Sequence, residues 1–331
     1  MDPEKAEGRY AGEIRVGLGN AGKFAAVYNG VRTESMDVPE KILKARITVL
    51  LAAHNRRDST VRALKNLYQQ QGVGEKFELS VVLADDGSTD GTAEEVKREL
   101  PQVRIVRGDG NLFWCGGMRL AYENARDDNA DFYLLLNDDT YLYRDAIRKA
   151  LDVYFEKSFG GAPEHIVVGS TVNPHSGKLS YGGEIRTSRW HPFHYELLAP
   201  REHVQACDTF CGNFVLVHRT VIEKIGFLDD RYTHWFGDID YGLMAAKAGC
   251  GLWLAPGYIG ECEENDPGIH WDSAAYSFPQ RVKMFFSVKG MPVNETLVFC
   301  RKHGGPAWPV FWLMPIIRGL FFPKRHDNSE T

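Results

Sequence analysis

Several stretches of the chain are apolar at nearly every position yet too short for helices: Ile47 to Ala53, Leu79 to Ala84, Val103 to Val106 and Phe132 to Leu136. Unalternating apolar runs of this length read as strands buried on both faces, as in a parallel sheet. Between them the apolar period changes to that of helices. Val61, Leu64 and Leu67 follow a capping Asp58-Ser59-Thr60, a second helix runs from about Thr92 to Leu100 before Pro101, and a third from about Gly117 to Arg126. Strands alternating with helices predict parallel crossovers, and hence an α/β nucleotide-binding sheet. The second half is less regular. It reads as strands at Val167 to Thr171, Lys178 to Tyr181 and Phe214 to Val217, a helix from Asp238 to Ala248, and a helix beginning near Arg281.

Two of the apolar runs stop abruptly in acid. Leu79 to Ala84 meets Asp85-Asp86-Gly87-Ser88, and Phe132 to Leu136 meets Asn137-Asp138-Asp139. Ligands of open α/β sheets collect at the carboxyl ends of strands. Neighbouring carboxylates repel and are costly to desolvate, so a cation or a donor-rich ligand is expected between them. A divalent metal, Mg²⁺ or Mn²⁺, carrying a nucleoside diphosphate meets that demand with only one or two protein carboxylates. Ser88 to Thr92 reads as a turn and helix cap, which leaves Asp85 for the nucleoside. In Gly108 to Arg119, glycines at a helix start let backbone amides face a phosphate, with Arg119 in the first turn within reach of it. Trp114 there is read either as a wall of the sugar pocket or as core.

Composition narrows the class. A formal net charge of −5 over 331 residues gives no footprint for nucleic acid. Six cysteines without a disulfide rhythm, and a polar amino terminus unlike a signal peptide, predict a reducing, cytoplasmic setting. Gly17-Leu18-Gly19-Asn20-Ala21-Gly22 matches a dinucleotide fingerprint, with Asp37 near the ribose position, but no buried strand leads into it, so it is read as a chance match. The segment 308–325, rich in Trp, Phe, Ile and Leu and closed by Lys324-Arg325, suits either a membrane interface or a tail docked on its own domain. The expected organisation is a polar extension over 1–45, one catalytic domain over 46–305 with a nucleotide-sugar lobe (46–145) and an acceptor lobe (146–305), and an amphipathic tail over 306–331.

The order Ala53-His54-Asn55-Arg56, Asp85-Asp86-Gly87-Ser88, Gly110-Asn111-Leu112-Phe113-Trp114 and Asn137-Asp138-Asp139 resembles glycosyltransferase family 2, in particular its rhamnosyl- and galactofuranosyltransferase-like members. The resemblance covers about residues 46–305. It implies the GT-A fold, a Rossmann-like nucleotide-binding sheet fused to a mixed acceptor-binding lobe, and inverting sugar transfer from a UDP- or dTDP-sugar to a glycan, lipid-linked or small-molecule acceptor. It implies that Ala53, Asn55, Arg56, Asp85, Asp86, Asn111, Trp114, Gly116, Gly117, Arg119 and Asp138 line the nucleotide sugar, and that Asp139 is the main metal ligand. His270 is a candidate second ligand. Trp235-Phe236-Gly237-Asp238-Ile239-Asp240 resembles the segment carrying the catalytic base, which falls on Asp238. A carboxylate suits that task when a closed site raises its pKa. Gly212, Asn213, Trp235 and Asp240 are the expected acceptor and sugar pocket. Gly237 departs from the resemblance, standing where an acid is usual.

Two other readings remain. A nucleotidyltransferase also uses a sheet and carboxylate-held metal, but Ala53 to Arg57 lacks the glycines of its phosphate loop. A non-catalytic sugar-nucleotide-binding protein would have little use for both Asp139 and Asp238.

Overall fold

The computed structural model describes residues 44–159, 161–188, 190–264, 273, 275–285 and 292–322, together with three short strands nearer the amino terminus. Those strands, β1 (Arg15–Leu18), β2 (Phe24–Tyr28) and β3 (Val31–Arg32), form an antiparallel sheet within a compact unit of residues 1–44. Asp37 lies outside the described residues.

The second unit, residues 45–331, is built on one large sheet. In chain order its elements begin with β4 (Ala45–Ala53), α1 (Arg57–Tyr68), β5 (Phe77–Asp85), α2 (Thr92–Glu99), β6 (Arg104–Arg107), α3 (Phe113–Glu123) and β7 (Phe132–Leu136). Then come β8 (Tyr141–Leu142), α4 (Ala146–Ser158), β9 (His165–Val172), β10 (Leu179–Tyr181), β11 (Gly183–Arg186), β12 (Tyr195–Leu197), β13 (Gln205–Ala206), β14 (Thr209–Phe210) and β15 (Phe214–His218). The chain continues through α5 (Arg219–Ile225), α6 (Gly237–Lys247), β16 (Gly251–Glu261), α7 (Phe278–Phe285), α8 (Val293–His303) and α9 (Trp308–Phe321).

The sheet runs β13-β16-β9-β15-β7-β4-β5-β6, and its β7, β4, β5 and β6 are mutually parallel. Both faces are covered, as the unalternating runs require. Val49 and Leu51 of β4 and Val81 and Leu83 of β5 enter one core with α1, α2 and α4, while Leu50, Val82 and Ala84 enter another with α3 and α6. β11, β12 and β14 form a small antiparallel sheet beside α6.

Two helix starts differ from expectation. α1 begins at Arg57 without a side-chain cap, and Asp58 sits inside its first turn, paired with Arg57. α3 begins at Phe113, four residues before the glycine expected to open it, because Asp86 supplies a cap that no local pattern reveals.

Candidate active site

Parallel register brings the chemistry to one edge. Ala53 stands opposite Asp85, and β7 runs beside β4 in the same direction, so Asn137-Asp138-Asp139 leaves from the same end. β15 is antiparallel to β7 with Phe214 opposite Leu136, which brings the residues before it, Gly212 and Asn213, to that edge too. The Asn137 amide donates to the Asn213 carbonyl at 3.2 Å.

The first acidic pair divides its labour. Asp85 is fully buried, and its Oδ1 accepts from the Ser88 amide at 3.1 Å. Its Oδ2 is buried with no hydrogen-bond partner among the described residues. An unsatisfied buried acceptor is costly, so a ligand N–H or O–H is the natural complement. Asp86 is instead consumed by the protein. Its Oδ1 accepts from Gly110 at 2.8 Å and its Oδ2 from Leu112 at 2.9 Å and Phe113 at 3.0 Å. It caps α3 and shapes the loop, with both oxygens taken up by backbone amides.

Three more of the residues expected beside the nucleotide sugar are engaged within the protein. Gly116 and Gly117 lie inside α3, so their amides are not free for a phosphate. A Cβ on Gly117 would stand 2.6 Å from that of Ala52, so this glycine lets the helix lie against β4. Arg119 Nη1 donates to the carbonyls of Asp229 (3.0 Å) and Tyr232 (2.7 Å), bracing the loop before α6 rather than facing a phosphate. Asn55 holds a left-handed φ of 52° and joins two loops, its amide donating to Ser88 Oγ at 2.9 Å and its Oδ1 accepting from the Thr89 amide at 2.8 Å. Asn111 is exposed, with its amide on Asp109 Oδ1 at 2.9 Å. Ala53 is buried at the end of β4.

Asp138 and Asp139 converge on one cation, the Arg56 guanidinium. Arg56 Nη1 donates to Asp138 Oδ1 at 3.3 Å and also to Asp139. Thr60 Oγ1 donates to Asp138 Oδ2 at 3.2 Å. Burial pushes the Asp138 carboxyl up to about 6, with Arg56 opposing and Asp139 reinforcing the shift. Cys262 lends a thiol to Asp139 Oδ1 at 3.6 Å. Among the described residues no three His, Cys, Asp or Glu side chains gather to hold a metal. Two hard oxygen donors already balanced by a cation nevertheless suit a divalent ion that brings its own phosphate ligands. His270 lies outside the described residues.

The acceptor side meets this edge through Trp114. Its Nε1 donates to Asn137 Oδ1 at 2.7 Å, and a Cβ on Gly212 would run into its ring, so Gly212 is what lets the indole seat there. The Gly212 amide donates in turn to Asp238 Oδ2 at 2.9 Å, and the Ile239 amide donates to Asp238 Oδ1 at 2.8 Å. Asp238 thus sits in the first turn of α6 with one amide on each oxygen. Burial raises its pKa while these amides oppose the rise. Gly237 packs against Cys115 Sγ with no room for a Cβ, which explains why no acid stands there. Asn213 Nδ2 donates to Cys262 Sγ at 3.3 Å, the thiol that also meets Asp139. Trp235 is 39% exposed.

Asp240, expected in the acceptor pocket, lies between α6 and α8. It is buried and accepts from Tyr232 Oη (3.1 Å), Lys302 Nζ (2.7 Å) and His303 Nε2 (2.7 Å). It fastens α6 to α8, while Glu295 at the start of α8 accepts from the Trp235 amide at 3.0 Å.

Sequence reasoning missed Glu184. It lies on β11, its Oε1 accepts from the Cys211 thiol at 3.4 Å, and its buried Oε2 has no partner among the described residues. Burial, and after it the Asp238 charge, push its carboxyl up to about 7. Nothing local marks this residue, because Cys211 and Asp238 reach it only through the tertiary fold.

The sheet with its acid-lined edge defines an α/β protein of the GT-A class. Residues 48–226 match the family Glycosyl transferase family 2, more than half of the chain, and the protein belongs to that family. An N-acetylglucosaminyl-diphospho-decaprenol L-rhamnosyltransferase of Mycobacterium tuberculosis is 28% identical over 200 residues, covering 54% of this chain and 63% of that one. The chondroitin synthase of Escherichia coli is 23% identical over 320 residues, covering 82% of this chain and 43% of that one. The chain therefore spans less than two thirds of the length of either relative. A mannosyltransferase from Pyrobaculum calidifontis, PcManGT, solved with GDP-Man and Mn²⁺, superposes with a TM-score of 0.50 at 18% identity, over 83% of this chain and 70% of that one, and shares the fold.

Proposed function

We propose that the protein is an inverting, divalent-metal-dependent glycosyltransferase. It moves a sugar from a nucleoside-diphosphate donor to a hydroxyl of a glycan or lipid-linked acceptor, in the synthesis of a surface glycan from the cytosolic side. The observation that carries this reading is the single edge on which a buried, unpartnered carboxylate oxygen (Asp85), a pair of convergent carboxylates (Asp138, Asp139) and a separate, amide-held carboxylate (Asp238) stand around Trp114 and Gly212. The mycobacterial relative's lipid-diphosphate acceptor and the Mn²⁺ and GDP-sugar of the structural neighbour agree with it.

Asp85 Oδ2 takes a donor N–H or O–H of the nucleoside. Asp139, with Asp138 beside it, would hold Mn²⁺ or Mg²⁺, which supplies neutralisation of the charge that gathers on a departing diphosphate. Trp114 walls the sugar. The acceptor oxygen forms its bond to the anomeric carbon on the face opposite the diphosphate, whose oxygen leaves with the bonding pair. The acceptor proton passes to the Asp238 carboxylate, whose burial raises its affinity for that proton while its two backbone amides favour the charged form. Burial and then the Asp238 charge push the Glu184 carboxyl up to about 7, so a proton held on Glu184 limits the negative charge gathered beside Asp238.

The reading is tested by incubating the purified chain with a panel of UDP-, dTDP- and GDP-sugars and Mn²⁺ and following release of the nucleoside diphosphate. One donor should turn over, Asp139→Ala should abolish turnover, and EDTA should do the same to the wild type. Full turnover in EDTA would refute the metal role, and no turnover or thermal stabilisation with any donor would refute the transferase reading.

A further inference from the structure

The outward face of α9 is apolar where a water-facing helix should be polar. Val310, Leu313, Met314, Ile317 and Phe321 recur at steps of three, four and seven or eight residues, and they are between 37% and 63% exposed, with Phe322 beyond them at 71%. The opposite face is already in use. Trp312 Nε1 donates to the Val293 carbonyl at 3.3 Å, Phe311 meets His191 at 4.9 Å, the Arg301 guanidinium lies 5.0 Å over the Trp308 ring, and Arg281 Nη2 donates to the Leu320 carbonyl at 3.1 Å. The helix is therefore docked on its domain along one side, with a second apolar side left over. Phe278 of α7, 47% exposed and 5.9 Å from the Phe321 ring, extends the patch.

We propose that this face lies in the plane of a membrane whose surface carries anionic lipid. Length excludes a span: 14 residues at about 1.5 Å each cover roughly 21 Å against a hydrocarbon core of about 30 Å. No described helix is long and apolar enough to cross. Charge selects the occupant. In a chain of net charge −5, the sequence from Trp308 to His326 contains no acid and three basic residues, Arg318 on the helix and Lys324 and Arg325 outside the described residues. Arg318 is exposed on the outward side among the apolar residues. Anionic headgroups complement that arrangement, with apolar side chains entering the acyl boundary and basic ones remaining at headgroup level. A second copy packed face to face would instead set Arg318 against its own image about a twofold axis. The placement has a consequence for the site. α9 packs on α8, whose Lys302 and His303 hold Asp240 two residues from Asp238, so lipid contact falls on the elements that back the base helix. The inference does not rest on the proposed reaction.

Flotation of the full chain with vesicles of phosphatidylcholine alone, and of phosphatidylcholine with about a third phosphatidylglycerol, tests it at low and high salt. The wild type should float with the anionic vesicles at least tenfold more than with the neutral ones, less so at high salt. Leu313→Glu with Ile317→Glu should lower that binding at least tenfold while leaving the melting temperature unchanged, because both side chains point outward. Should that pair fail to fold, Arg318→Gln with Lys324→Gln and Arg325→Gln keeps the apolar face and should lose the preference for anionic vesicles. Wild type that stays in solution with both vesicle types overturns the proposal, and so does equal flotation of a folded Leu313→Glu, Ile317→Glu variant. A dimer in light scattering that this variant dissolves, without vesicle binding, assigns the face to self-association instead.

Discussion

Replacing Glu184 by Gln should make the protein progressively more stable than wild type as pH rises. In the folded chain the Glu184 carboxyl is pushed from its ordinary 4.5 to about 7, chiefly by burial and then by Asp238. A raised folded-state pKa means that stability is fully present below the unfolded value of 4.5 and is lost as pH climbs through the folded value. Between pH 5 and pH 8 the linkage integrates to about 2 pK units, or roughly 2.5 kcal/mol. Glutamine keeps the shape and the acceptor for the Cys211 thiol but carries no titrating proton, so it escapes that loss. The assay is urea unfolding of both proteins at the two pH values. The difference of differences cancels groups that do not feel Glu184, such as Asp138, and leaves Glu184 together with its coupling to Asp238. The expected outcome is a variant whose advantage grows by about 2–3 kcal/mol from pH 5 to pH 8, on the order of 5–10 °C in melting temperature. An advantage constant within about 0.5 kcal/mol would refute the reasoning, because Glu184 would then titrate alike folded and unfolded.

Gly212→Ala should drive the Trp114 ring from its seat, costing about 1–3 kcal/mol by overpacking and lowering kcat more than donor affinity, as read by thermal melts and steady-state kinetics. Asp240→Asn removes the charge that Lys302 and His303 share. Since Lys302 keeps Asp229, the cost in urea unfolding should be about 2–4 kcal/mol rather than the full value for a stranded buried ion. Asp86→Ala strips the cap from Gly110, Leu112 and Phe113, and should loosen the start of α3, read as faster amide exchange over 110–116.

The sheet was legible because its parallel strands are buried on both faces and so carry no polar alternation to confuse them with surface strands. The ends of β5 and β7 were legible for the same reason: paired acid stands out directly after a wholly buried run. Residues whose meaning depends on a distant partner were not. Asp86 and Asp85 are neighbours with the same side chain, yet one faces three amides of a loop some two dozen residues on and the other keeps a free oxygen. Arg119 lies in the interior of α3 rather than in its first turn, because the Asp86 carboxylate that caps the helix at Phe113 comes from far back in the chain. Asp240 and Asp238 share one turn of α6, and only the packing of α8 tells the fastening acid from the proposed base. Glu184 had no motif at all.

The central claim is that Asp238 removes the acceptor proton while the other acids hold the donor. Single-turnover transfer by Asp238→Asn, with the donor identified by the nucleotide-sugar panel and its dissociation constant measured alongside, tests it most directly. The account predicts a transfer step slowed by at least about a hundredfold with donor affinity within about twofold of wild type. A transfer step that survives unchanged would contradict it.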